Sequence, residues 1–78
     1  MQMQTEDLST RALLRIALEI DSDQSGEKRT IAWFARQHDV GRHAIHQVLA
    51  GRTTSARLEE AISAYIEEHL GCDAFARA

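Results

Sequence analysis

Between Asp39 and Arg52 the chain reads DVGRHAIHQVLAGR, and within it Arg42, His43, His46 and Gln47 bring a guanidinium, two imidazoles and an amide into close sequence range. Such a set suits metal ligation, acid–base or nucleophilic catalysis, or recognition of an anion or a base edge. It is also compatible with a core helix carrying incidental polar side chains. His43 and His46 have the i, i+3 spacing of two ligands, and His38 is close by, but Asp39 is the nearby carboxylate and the lone cysteine, Cys72, is remote. A closed tetrahedral site therefore lacks a fourth ligand, and neither a metal nor another cofactor is expected. Nucleophilic catalysis needs a nucleophile, a base and an orienting group held together. Ser55 and Cys72 have no evident partner histidine, so no enzyme activity is expected.

Recognition fits better because of helical phase. A helix from about Arg42 to Ala50 would commit Ile45, Val48 and Leu49 to the core at i, i+3, i+4. Each residue turns about 100°, so Arg42, His43, His46 and Gln47 fall on the opposite side, with no acid among them. Their donors and acceptors suit base edges and phosphates, and a helix has the width of a DNA major groove. The first turn of that helix also offers backbone N–H groups and a positive dipole to an anion.

Charge is distributed in the same sense. The net charge of −3 hides a centre, residues 28–57, that carries +5 from Lys28, Arg29, Arg36, Arg42, Arg52 and Arg57 against Asp39. Residues 1–27 and 58–78 carry −4 each. A basic centre on an acidic body is the footprint of an anion-binding face.

The elements needed to hold this face are helices. The chain has 78 residues, 44 % hydrophobic and 27 % charged, no proline and few glycines, as expected for one small all-α domain over 1–78. No apolar run reaches the ~18 residues of a membrane span. No basic-then-apolar leader opens the sequence, and one cysteine excludes an internal disulfide, so a cytoplasmic protein is expected. The pattern predicts a first helix over about Glu6–Ile20, capped by Thr5, with Glu6 and Asp7 in its first turn. Its apolar stripe would be Leu13, Ile16, Ala17 and Ile20, widened by Leu14 and Leu18. DSDQSGEKR, residues 21–29, reads as a flexible polar linker broken at Gly26. Thr30 caps a second helix ending near Asp39, with Phe34 buried and Trp33 partly exposed. Gly51 ends the third, Ser55 caps the fourth over about 56–70, and Gly71 closes it before a tail at 71–78. Leu58, Ile62, Tyr65, Ile66 and Leu70 form the stripe of the last helix, with the Tyr65 hydroxyl at the core edge, and Glu59, Glu60, Glu67 and Glu68 a solvated face.

IAWFARQHDVGRHAIHQVLAG, residues 31–51, resembles the helix-turn-helix of the λ-repressor/Cro-like DNA-binding superfamily, and is similar to short regulators encoded by Mu-like phages. The pattern asks for a small residue in the first helix (Ala35), an aliphatic after the turn (Val40) and two aliphatics in the second helix (Ile45 and Val48). The turn position usually held by glycine is Asp39, which tolerates left-handed backbone better than most residues. The resemblance covers roughly residues 30–70, with the helix-turn-helix core at about 30–51.

It implies a bundle of four to five helices in which the third reads bases with Arg42, His43, His46 and Gln47. Thr30, Arg36, Gly41, Arg52, Thr53 and Thr54 would contact phosphate. It further implies a homodimeric, sequence-specific transcriptional regulator of phage or prophage type, occupying an operator on double-stranded DNA in the bacterial nucleoid, without membrane or small-molecule substrate. A second reading keeps the shape but assigns it to protein interaction, as in an adaptor or antirepressor. If the histidines meet phosphate, binding should strengthen as pH falls through about 6.5.

Overall fold

The computed structural model describes residues 9–71, which form four helices and no strand. They are α1 (Thr10–Ser25), α2 (Ile31–Gln37), α3 (Arg42–Leu49) and α4 (Ala56–Leu70). The chain is all-α, as its composition and periodicity predict. Among the described residues no helix is long and apolar enough to cross a membrane.

The first helix differs from expectation at both ends. Ser9, not Thr5, is the N-cap: its side chain accepts the Ala12 N–H at 3.1 Å. Thr5, Glu6 and Asp7 lie outside the described residues. At the other end α1 runs through Asp21–Ser25 instead of stopping at Ile20, so the predicted 21–29 linker shrinks to residues 26–30. The polar residues there have partners that composition does not reveal. Ser22 Oγ donates to the Leu18 carbonyl at 2.8 Å and accepts the Arg29 N–H at 2.7 Å, pinning the connection onto the helix. Gly26, at φ 77°, then turns the chain.

The α1 stripe is also corrected. Leu13, Leu14, Ala17 and Leu18 are buried, whereas Ile16 is 37 % exposed and Ile20 is only partly covered. The helix presents an i, i+1, i+4, i+5 face because it packs chiefly against α4, where Leu58, Ile62 and Ile66 face the core. Phe34 from α2 and Ile45 and Val48 from α3 complete that core. Burial of such side chains contributes about 1.5–3 kcal/mol each.

The caps of α2 and α4 agree with expectation. Thr30 Oγ1 accepts the Trp33 N–H at 3.1 Å, and Ser55 Oγ accepts the Leu58 N–H at 3.3 Å. Phe34 is buried with Trp33 half-buried beside it, and Gly71 ends α4. Cys72 and the rest of the tail lie outside the described residues.

Helices α2 and α3 form a tight helix–turn–helix unit. Asp39 N–H donates to the Arg36 carbonyl at 3.3 Å and Val40 N–H to the Ala35 carbonyl at 3.0 Å. These are the two bonds of a Schellman closure, which needs a left-handed residue after the cap. Asp39 supplies it at φ 59°, the one non-glycine with positive φ among the described residues. Ala35, 1 % exposed, leaves room for the turn to fold back, and Val40 packs against the core. The end of α3 repeats the motif with glycine: Gly51 N–H donates to Val48 and Arg52 N–H to Gln47, with Gly51 at φ 74°.

Candidate nucleic-acid interface

The outer side of α3 and the start of α1 enclose an open depression of about 760 Å³. Gly41, Arg42, His43, His46, Gln47 and Arg52 line it, together with Leu49, Ala50 and Arg11. The four residues expected to read bases thus share one concave face, and Gly41, at the N-cap of α3, and Arg52, just beyond its end, belong to it. Thr30 lines an adjoining depression of about 710 Å³, although its hydroxyl is already engaged as the α2 cap. Arg36, Thr53 and Thr54 are exposed but line neither depression. Leu49, placed inward by periodicity, is only half-buried and forms part of the floor.

Hydrogen bonding fixes what this face offers. The Gln47 amide nitrogen lies 2.8 Å from His43 Nε2, one turn away on α3. An amide nitrogen can only donate, so His43 Nε2 accepts and the neutral ring keeps its hydrogen on Nδ1. Gln47 retains its carbonyl oxygen and a second N–H for another partner, the pair of groups that matches an adenine edge. Arg11 Nη2 lies 3.3 Å from His46 Nδ1. A guanidinium has no acceptor, so His46 Nδ1 accepts and the ring hydrogen resides on Nε2. Burial, then the charges of Arg11 and Arg42 and the neighbouring His43, lower the His46 pKa below its ordinary 6.5. For His46 this corrects the expectation of protonation through 6.5: the guanidiniums around it favour the neutral ring to lower pH.

Arg11 and Arg15 are the functional candidates that sequence reasoning missed. They sit in the acidic N-terminal segment, but folding carries them to the basic face: both are exposed, and both line the depression that also holds Lys28, Arg42 and His46. Their i, i+4 spacing on one side of a helix was the available signal. Conversely, two members of the +5 centre are engaged elsewhere. Arg29 pairs with Glu27 at 3.1 Å and Asp21 at 3.7 Å and covers the Trp33 ring at 4.5 Å. Arg57 Nη1 donates to the His38 carbonyl at 3.1 Å. Among the described residues, Arg11, Arg15, Lys28, Arg42 and Arg52 form no ion pair. Among the described residues, Glu19 is the sole carboxylate lining either depression.

No three histidine, cysteine, aspartate or glutamate side chains cluster at metal-binding distance among the described residues. What the face can do is donate: guanidinium and imidazole hydrogens dominate it, with one amide able to accept. Comparison with protein-family models, with curated proteins and with solved structures finds no match for this chain.

Proposed function

We propose that the protein is a sequence-specific DNA-binding regulator in which α3 lies in the major groove and Arg42, His43, His46 and Gln47 meet base edges. The observation that carries this reading is the convergence of Arg11, Arg42 and Arg52, unpaired among the described residues, with the hydrogen-bonding side chains on the exposed side of α3, a short helix held by a tight turn. A side chain left unpaired at the surface costs little in water, but several like charges drawn together repel one another, and a polyanion relieves that repulsion. The intact Schellman closure at Asp39 supports the same reading, because the departure from glycine leaves the geometry of the turn in place.

In this reading Arg52 and the α3 N-terminus at Gly41 hold phosphates, with Thr30, Arg36, Thr53 and Thr54 at the rim of the contact. The protein acts by occupancy, as a repressor of the phage type that the sequence resembles. Two copies on a two-fold operator supply the affinity that one short helix lacks.

The test is fluorescence anisotropy with a labelled duplex of about 25 base pairs, titrated from low to physiological salt. Wild type should bind with steep salt dependence, and Arg42→Ala/His43→Ala should bind more weakly. Arg42→Ala alone should cost about 1–3 kcal/mol on a cognate site if the guanidinium pairs with a guanine edge. Absence of wild-type binding at every salt concentration would overturn the proposal and assign the α3 face to a protein partner, as in an adaptor or antirepressor.

A further inference from the structure

A recognition helix flanked by its turn would account for α2 and α3, but it leaves the arginines of α1 without a purpose. Arg11 and Arg15 stand one helical turn apart on the exposed side of α1, and Arg11 reaches His46 on α3. The two depressions share Arg11, Arg42 and His46, so they form one trough that runs from Arg52 past α3 to Arg15 and Lys28. Arg29, which also lines the trough, is held by Asp21 and Glu27, whereas Arg11, Arg15, Lys28, Arg42 and Arg52 have no carboxylate partner among the described residues. The described acids Asp21 and Glu27 are thus directed to Arg29 and not to Arg11 or Arg15.

Resting on the DNA reading above, we propose that α1 is a further DNA-contacting element: Arg11 and Arg15, with Lys28, seat the sugar–phosphate backbone bordering the groove that α3 enters. Steric size decides between backbone and bases. A helix with its side chains is about 10–12 Å across and the major groove about 12 Å wide, so α3 fills the groove. A second helix beside it must ride on the bordering strand, where its arginines meet phosphate oxygens. Such contacts position the protein without reading sequence. Arg11 then has two roles in one place, holding the His46 ring and neutralising the backbone next to the base that His46 faces.

The test compares the slope of log Kobs against log salt for three full-length proteins on cognate and arbitrary duplexes: wild type, Arg11→Gln/Arg15→Gln and Arg11→Lys/Arg15→Lys. Each lost phosphate contact lowers the slope by about 0.9, so the glutamine pair should bind with a slope shallower by about 2. Its affinity should fall by the same factor on both duplexes. The lysine pair should keep the wild-type slope, a rescue that a purely structural role for the guanidiniums does not give. Thermal unfolding followed by circular dichroism confirms that each variant is folded. If wild type and Arg42→Ala differ in binding while the glutamine pair keeps the wild-type slope, the role of α1 is overturned and the DNA reading stands. If wild type binds no duplex, both fall together.

Discussion

Two polar regions flank α1, and they treat charge in opposite ways. Toward the end of α1, polar side chains from the rest of the fold gather around Asp21. The Tyr65 hydroxyl donates to it at 2.7 Å, Arg29 Nε approaches at 3.7 Å, and His69 Nε2 lies 3.7 Å from its other oxygen. His69 Nδ1–H donates to the Tyr65 carbonyl at 2.9 Å, and the Arg29 guanidinium lies on Trp33. Burial first, and then the hydrogen bond to Asp21, push the Tyr65 phenol well above its ordinary pKa, so it remains a donor. Near the start of α1, by contrast, Arg11, Arg15, Arg42 and Arg52 are exposed and no acid among the described residues pairs with them. One region is closed electrostatically by the fold, and the other is open to something outside it. The first ties α1, the 26–30 connection, α2 and α4 together; the second gives stability little and is available for binding.

The largest effect that separates the two should come from Asp21→Ala. Removing the carboxylate leaves the Tyr65 hydroxyl without its acceptor and takes away the negative charge beside Arg29 and the His69 ring in a partly buried setting. The loss should be about 2 kcal/mol, with Tm lower by roughly 10 °C in thermal unfolding. DNA affinity measured where the variant is folded should not fall. If Asp21→Ala weakened DNA binding while leaving Tm in place, the two regions would have been assigned the wrong way round.

A smaller effect is the pH response of His46, which sharpens the contrast because its ring lies beside Arg11 and Arg42 and pairs with no acid among the described residues. Its folded pKa lies below the unfolded 6.5, so the stability it contributes is complete above pH 6.5 and is lost as pH falls below that value toward the folded pKa. Arg11→Gln removes one of the causes, after burial the largest, and should raise the titration midpoint of the His46 ring followed by NMR. On DNA, nearby phosphates favour the imidazolium, so the His46 contribution to affinity should be flat from about pH 8 to 6.5 and rise only below. A wild-type midpoint above 6.5 would show that the arginines do not govern the ring.

Much of this organisation was legible in the sequence, and the gaps have physical causes. Thr30, Ser55 and Gly51 act locally, through bonds to residues three or four positions away, so the bounds of α2, α3 and α4 follow from short-range chemistry. The grouping of Arg42, His43, His46 and Gln47 likewise needs only the phase of one helix. Residues 21–25 look like a linker because Asp21 and Ser22 are polar; their partners, Tyr65 and the Arg29 backbone, are set by tertiary contact. Ile16 and Leu14 are equally apolar, and only the placement of α4 decides that Leu14 is buried and Ile16 exposed. Arg11 and Arg15 escaped for the same reason: charge counted along the chain assigned them to an acidic segment, while the fold sets them beside α3.

The smallest effect tests whether the trough is a local feature or only an aspect of total charge. Glu19 lies among the trough residues, while Glu60 is exposed on α4 and lines neither depression. Glu19→Gln and Glu60→Gln change the net charge identically, so any difference between them reports position. Screening confines such an effect to about 10 Å at 0.1 M salt. Glu19→Gln should therefore raise duplex affinity by about 0.5 kcal/mol, roughly twofold, at low salt, and the gain should fade as salt increases. Glu60→Gln should leave the anisotropy titration where it was. Equal gains from both would mean that the duplex senses the whole acidic body, and the distinction between a closed and an open polar region would lose its functional meaning. A gain confined to Glu19 would place the DNA backbone beside α1, because no other described carboxylate lines the trough.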